Sequence, residues 1–262
     1  MKNPDYYANL SPWIRIPKPN PQARMRLFCF PYAGASASVY YPWCRDLVQD
    51  LELCAIQFPG RETRIAEEPI SAMEPLVAAL LPELMPYLDK PFLFFGHSMG
   101  ATVCFEIARR LILSGSRIPE MLFVSASRAP HLKQTEDPIY LLPGEAFIER
   151  LRSFSGTPEE IFQYPELLEL YLPILRADLA IEETYTCSGV SPFPFPISGF
   201  GGEEDKEVDH KDLEAWAQYS APLFSLRLYP GGHFFIREQQ QTLIRDMMND
   251  LAAHIPYSSK LS

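Results

Sequence analysis

Ser98 lies in Gly96-His97-Ser98-Met99-Gly100, with a glycine two residues to either side. A serine hydroxyl is a poor nucleophile at neutral pH and needs a base to take its proton. Histidine does this when a carboxylate holds its tautomer and stabilises the imidazolium. Such a set carries out acyl transfer through a covalent intermediate. Among the five histidines, His233, in Gly231-Gly232-His233, is the candidate base. His97 sits inside the serine turn and is expected to point elsewhere. His131 heads a helical stretch, His210 falls in a helix start, and His254 ends a helix, where a cation suits the dipole. The candidate acids are Glu203, Glu204, Asp205 and Asp209. Asp209 reads as a helix N-cap. Asp205 is preferred, and spacing alone does not exclude the two glutamates.

These residues act only if the chain brings them together. The apolar run at 92–95 reads as a strand buried on both faces. Val103, Cys104, Ile107, Ala108, Leu111 and Ile112 recur at helical spacing, and Gly115 stands where a C′ glycine belongs. Strand, sharp turn and helix are the context of a nucleophile elbow. There the serine takes a strained backbone conformation, and close packing around it demands the flanking glycines. The helix that follows aims its N-terminus at the site, where free N–H groups favour developing negative charge. Residues 26–30 form another strand and run into the small-residue loop Pro31-Tyr32-Ala33-Gly34-Ala35-Ser36-Ala37-Ser38. Elbow enzymes take one oxyanion N–H from such a loop and one from the residue after the nucleophile. The expected donors are the backbones of Ala33, or its neighbour Tyr32, and Met99.

Further strands are expected at 53–58, 121–127, 194–200 and 223–228. Helices are expected at 41–51, from a capping box at Ser71 to about 88, at 209–219 and at 238–254. Pro82 and Pro86 are expected to kink or shorten the second of these. Strand–helix alternation implies a parallel sheet with right-handed crossovers, an α/β fold. The alternation breaks at 131–189. That stretch shows helices at 145–154 and 166–179, the latter kinked at Pro173, and a helix start at Thr157-Pro158-Glu159-Glu160. We read residues 1–130 and 190–262 as the core and residues 131–189 as an inserted helical lid over the active edge. The Pro-rich stretch 1–25 reads as an irregular lead-in that Trp13 pins to the body.

The 262 residues and 47% hydrophobic content support a full core. The net charge of -10 argues against nonspecific nucleic-acid binding. The five cysteines form no C-x-x-C, and Cys29, Cys54 and Cys104 sit in apolar patterns, as expected of reduced, buried thiols. With no apolar leader and no transmembrane run, a cytoplasmic location is expected. No zinc spacing, P-loop or dinucleotide motif occurs, so no metal or cofactor is expected.

Four stretches together resemble a family. Residues 30–38, the run Phe58-Pro59-Gly60-Arg61-Glu62-Thr63-Arg64, the elbow at 95–101 and Pro230-Gly231-Gly232-His233-Phe234-Phe235 are similar, in order, to the type II thioesterases. These are stand-alone α/β-hydrolases that accompany polyketide synthases and nonribosomal peptide synthetases. The resemblance covers residues 24–254. It implies a triad of Ser98, Asp205 and His233, and its aspartate shortly after a Gly-rich strand end supports Asp205 over the glutamates. Two positions depart from the pattern: Ala35 replaces a common second glycine, and Lys206 stands where proline is frequent. The implied activity is hydrolysis of acyl or aminoacyl groups stalled on the phosphopantetheine arm of acyl or peptidyl carrier proteins. The implied enzyme is a monomer without nucleic-acid or membrane partners. Because carriers are commonly acidic and this chain is too, docking is expected at a local basic or apolar patch, near the Arg61/Arg64 loop or the lid, between which the sequence does not choose. The alternatives are an esterase of small or lipidic esters without a carrier, and an inactive binding module that keeps only the fold.

Overall fold

Apolar side chains alternate between the two faces of each central strand, and both faces are covered. The computed structural model describes residues 11–132, 137–154, 156, 159–187, 191–221 and 223–254. Among these, seven strands form one sheet: β1 (Ile14–Arg15), β2 (Met25–Phe30), β3 (Leu51–Ile56), β4 (Phe92–His97), β5 (Met121–Ser125), β6 (Ile197–Gly202) and β7 (Phe224–Tyr229). Their order is β1-β3-β2-β4-β5-β6-β7, parallel except for the β1–β3 pair. Phe28, Phe30, Phe92 and Phe94 face one core, shared with α1 (Met73–Leu84) and α2 (Met99–Leu113). Phe28 and Phe94 meet edge to face at 5.9 Å, and Phe30 and Phe94 at 5.2 Å. Leu27, Cys29, Leu93 and Phe95 face the other core, with α7 (Gln240–His254) behind it.

β3 lies on one side of β2 and β4 on the other, so the loops after β2 and β4 leave in opposite directions. A crevice opens at such a point, at the carboxyl ends of the strands. Register aligns those ends, with Phe30 opposite Gly96 and His97 opposite Ser125.

Between β5 and β6 the chain forms α3 (Gly144–Ser153), α4 (Glu159–Gln163) and α5 (Pro165–Thr184). The expected helices at 145–154 and 166–179 are therefore present, the second longer than read. Pro173 lies inside α5 and divides it by environment. Leu167 and Leu170 are exposed before it, whereas Ile174, Leu175, Asp178 and Ile181 are buried after it. The start signal at Thr157 and Pro158 lies outside the described residues. The short α6 (His210–Glu214) follows β6.

Several local readings need correction. The helix expected at 41–51 is a 3₁₀ segment, Ala37–Arg45. Its buried residues are Ala37, Tyr40 and Trp43, spaced by three, the period at which 3₁₀ side chains align. The capping box at Ser71 does not form: Ala72 is the N-cap of α1, with no side-chain hydrogen bond. The α-helix ends at Leu84, and Met85–Tyr87 continues as 3₁₀ around Pro86, which has no N–H to give. Pro82 is accommodated within α1. Asp209 is the N-cap of α6 by backbone only. The lead-in contains a strand, since Ile14 and Arg15 pair antiparallel with Ile56 and Ala55. Trp13 is buried, as expected. The Gly115 reading holds: its N–H bonds Ile112 O at 3.1 Å and Ser116 N–H bonds Leu111 O at 3.0 Å, a Schellman closure with φ +66°.

Candidate active site

β4 ends at His97 and α2 begins at Met99, which leaves Ser98 alone at the turn. Its backbone sits at φ 52°, ψ -126°, a conformation that costs free energy for a residue with a Cβ. The surrounding packing enforces it. A Cβ on Gly96 would lie 2.3 Å from the backbone of Gly100, and one on Gly100 would lie 2.1 Å from Phe30 O. Helix α2 thus rests directly on the ends of β2 and β4. Ser98 N–H bonds Ser125 O at 2.8 Å, which fixes the turn to β5.

The loops after β6 and β7 are joined by their backbones. Glu203 N–H bonds Tyr229 O at 2.8 Å and Glu204 N–H bonds Gly231 O at 2.9 Å. A Cβ on Gly202 would lie 2.3 Å from Gly232 O, so only glycine permits this approach. The result is one short contact: His233 Nδ1 lies 2.9 Å from Asp205 Oδ2. Asp205 Oδ1 accepts the N–H groups of Glu207 at 2.8 Å and Val208 at 3.2 Å. Glu203 and Glu204 are exposed. The carboxylate that meets the imidazole is therefore Asp205.

Ser98 and His233 line the same cavity, together with Ala33 and Tyr32. Among the described hydrogen bonds none joins Ser98 Oγ to the His233 ring, a contact that often tightens only when substrate is bound. Met99 is the first residue of α2, so its N–H has no partner within the helix. Gly34 N–H is engaged by Asp178 and Ala35 N–H by Tyr32 O, while Ala33 faces the cavity. Apolar side chains from the β5–β6 segment close the cavity, among them Ile139, Leu151, Leu175 and Leu179.

Two features escaped the sequence reading. His97 does not simply point away. Its buried ring packs 5.3 Å from that of His233, with Nδ1 2.9 Å from Ser125 Oγ. Burial, then the nearby His233 and Arg237, hold its pKa well below the usual histidine range, so it braces His233 as a neutral ring. Its apolar strand neighbours were the available signal. The second is the arginine loop. Arg61 and Arg64 are buried rather than solvated. Arg61 pairs with Asp178, and Arg64 donates to Gln57 O at 2.9 Å and stacks 4.0 Å from the Trp13 ring centre. Both guanidinium groups are engaged within the chain, so neither is itself a free basic patch.

The thioesterase domain family model matches residues 25–251. The chain belongs to the thioesterase domain family. This thioesterase is 39% identical over 246 residues to the gramicidin S biosynthesis protein GrsT of Aneurinibacillus migulanus, covering 94% of this chain and 96% of the relative. It is 35% identical over 244 residues to the thioesterase PikA5 of Streptomyces venezuelae, covering 93% and 85%. Among solved structures it is similar to RedJ, a thioesterase from the prodiginine pathway of Streptomyces coelicolor, with TM-score 0.82, 34% identity and coverage of 87% and 91%. It is also similar to BorB, described as a type II thioesterase from the borrelidin cluster, with TM-score 0.80, 33% identity and coverage of 93% and 96%. The thioesterase has the α/β-hydrolase fold, with a mostly parallel sheet. Among its described residues no helix is long and apolar enough to cross a membrane.

Proposed function

We propose that the thioesterase removes acyl or aminoacyl groups from the phosphopantetheine arms of carrier proteins in a polyketide or nonribosomal peptide pathway. The observation that carries this reading is the opening of the strained Ser98 turn and of His233, which Asp205 contacts from behind, onto one cavity. Relatives named for gramicidin S, prodiginine and borrelidin biosynthesis support the pathway context.

In this mechanism His233 takes the Ser98 proton through Nε2 as Ser98 Oγ attacks the thioester carbonyl carbon. Asp205 holds the Nδ1–H tautomer and stabilises the imidazolium. The N–H groups of Ala33 and Met99 receive the oxyanion. Collapse breaks the C–S bond, and His233 returns its proton to the leaving sulfur, releasing the carrier thiol. A water, deprotonated by His233, attacks the acyl-enzyme; collapse frees the carboxylic acid and restores the Ser98 hydroxyl. Residues 131–189 act as a lid whose apolar side chains receive the acyl chain. Beyond the substrate and the attacking water, each step uses groups of the chain alone.

The test is a panel of acylated carrier proteins incubated with the enzyme and read by intact mass. Loss of the acyl group with wild type and not with Ser98→Ala supports the proposal. Faster turnover of a free p-nitrophenyl ester than of every carrier thioester overturns it in favour of a carrier-independent esterase.

A further inference from the structure

The arginine loop and α5 meet at one carboxylate. Asp178, buried on α5, receives Arg61 through both oxygens, Nη1 to Oδ2 at 2.7 Å and Nη2 to Oδ1 at 2.8 Å. Asp178 Oδ2 also accepts Gly34 N–H at 2.8 Å. Arg61 Nη1 donates again, to Ala35 O at 3.0 Å. Gln57 completes the set, accepting Ala37 N–H at 2.9 Å and donating Nε2 to Arg61 O at 3.0 Å. The loop after β2 is thus fastened at positions 34, 35 and 37 by side chains that lie outside the cavity lining. Leu175, one turn before Asp178, packs on the same loop: a Cβ on Gly34, at φ +75°, would lie 2.4 Å from its Cδ2.

An oxyanion donor is effective when it is fixed before charge develops. A displacement of about 1 Å costs orders of magnitude in rate. Ala33 adjoins the peptide that Asp178 holds. A carboxylate suits this point because it serves the arginine fork and an amide at once. We propose that Asp178 is a positioning residue for the oxyanion hole: by accepting Gly34 N–H while paired with Arg61, it sets the loop that presents the Ala33 N–H. The segment between β5 and β6 then completes the reacting centre as well as walling its cavity. This inference rests on the reading of Ala33 as an oxyanion donor.

The test compares wild type with Arg61→Met/Asp178→Leu and Arg61→Met/Asp178→Asn. Both variants remove the buried ion pair, and only the second keeps an oxygen for Gly34. Each is assayed on an acyl N-acetylcysteamine thioester and on a p-nitrophenyl ester of the same acyl group. Affinity for an acyl trifluoromethyl ketone, which mimics the tetrahedral intermediate, is measured alongside, and melting temperature checks folding. The leucine variant is expected to lose kcat roughly 10- to 100-fold on both substrates. Its KM should stay within about twofold, since uniform binding is untouched, while ketone affinity falls by the same factor as kcat/KM. The asparagine variant is expected to keep most of kcat. Unchanged kcat in the leucine variant, equal losses in both variants, or a change in KM alone overturns the proposal. If the leucine variant does not fold, Arg61→Met/Asp178→Ala takes its place, since it too leaves Gly34 N–H without an acceptor. A kcat loss matched by ketone affinity then supports the proposal, and a kcat equal to that of the asparagine variant overturns it. Wild-type cleavage of the ester without the thioester would count against the carrier reading and leave the Asp178 comparison intact.

Discussion

Asp205 divides its carboxylate between a ring and a loop: Oδ2 faces His233 Nδ1 at 2.9 Å, and Oδ1 takes the amides of Glu207 and Val208. The two amides determine which oxygen is left for the imidazole. In Asp205→Asn the amide oxygen takes the backbone N–H groups, which turns the NH₂ toward His233. The ring then holds the wrong tautomer for accepting the Ser98 proton. We expect kcat to fall roughly 10³- to 10⁴-fold, with KM little changed. Steady-state hydrolysis of a thioester checks this.

Ser98→Ala and His233→Ala should each abolish turnover to within the residual rate that binding and oxyanion stabilisation sustain. The two losses should not add in the double variant, because the residues act as one unit. A fluorophosphonate should label wild type at Ser98 and fail to label Ser98→Ala. Labelling at another serine would redirect the search for the nucleophile.

The glycines should separate sharply. Gly100→Ala brings a Cβ to 2.1 Å from Phe30 O, a backbone atom that cannot swing aside. We expect a loss of about 1–3 kcal/mol, from overpacking, together with loss of activity. Gly144→Ala meets nothing within 4 Å at an ordinary φ, and should be neutral or stabilise by about 0.4–1 kcal/mol. Urea unfolding of the two variants measures the contrast.

Removing one partner of the buried Arg61–Asp178 pair strands the other charge. Arg61→Ala should cost about 3–5 kcal/mol in urea unfolding. The apolar double variant Arg61→Met/Asp178→Leu should recover much of that loss, since no charge is left behind.

Glu182 supplies a pH signature. It lies in the cavity wall, where burial pushes its carboxyl up to about 7 from an ordinary 4.5. The neighbouring His233 and Arg128 oppose the rise, and Glu183 and Asp178 add to it. Between these two pKa values the folded chain binds the proton and the unfolded chain has released it. Stability from this group is therefore present below about pH 4.5 and declines as pH rises toward about 7. Glu182→Gln should remove that decline. The variant's advantage over wild type in urea unfolding should grow from pH 5 to pH 8; a constant difference would refute it.

The proposed reacting residues stand out in the sequence because each follows a strand and breaks a pattern. Gly96-His97-Ser98-Met99-Gly100 interrupts an apolar run, and of the two glycines before His233, Gly231 takes φ +112°, a turn that favours glycine. The surroundings were harder to read because their logic is tertiary. The burial of Arg61 and Arg64 has no local signal, since their partners Asp178 and Trp13 lie distant in sequence. His97 was set aside because the turn directs Ser98 outward, yet the inward ring still reaches His233. The 3₁₀ segment at Ala37–Arg45 was hidden by reading its apolar residues at the α-helical period. The two-residue β1 has no periodicity to detect, and only its pairing with β3 defines it.

Much of the cavity's apolar wall comes from a different part of the chain than its candidate reactive side chains. Ile139, Leu151 and Leu179 come from the excursion between β5 and β6, whereas Ser98, Asp205 and His233 stand on loops at the sheet edge. Substitutions in the excursion can therefore reshape the cavity while the side chains at the sheet edge stay untouched. The fastened turn of α5 around Leu175 and Asp178 marks where that freedom stops, and divergence should spare it while the outer half drifts.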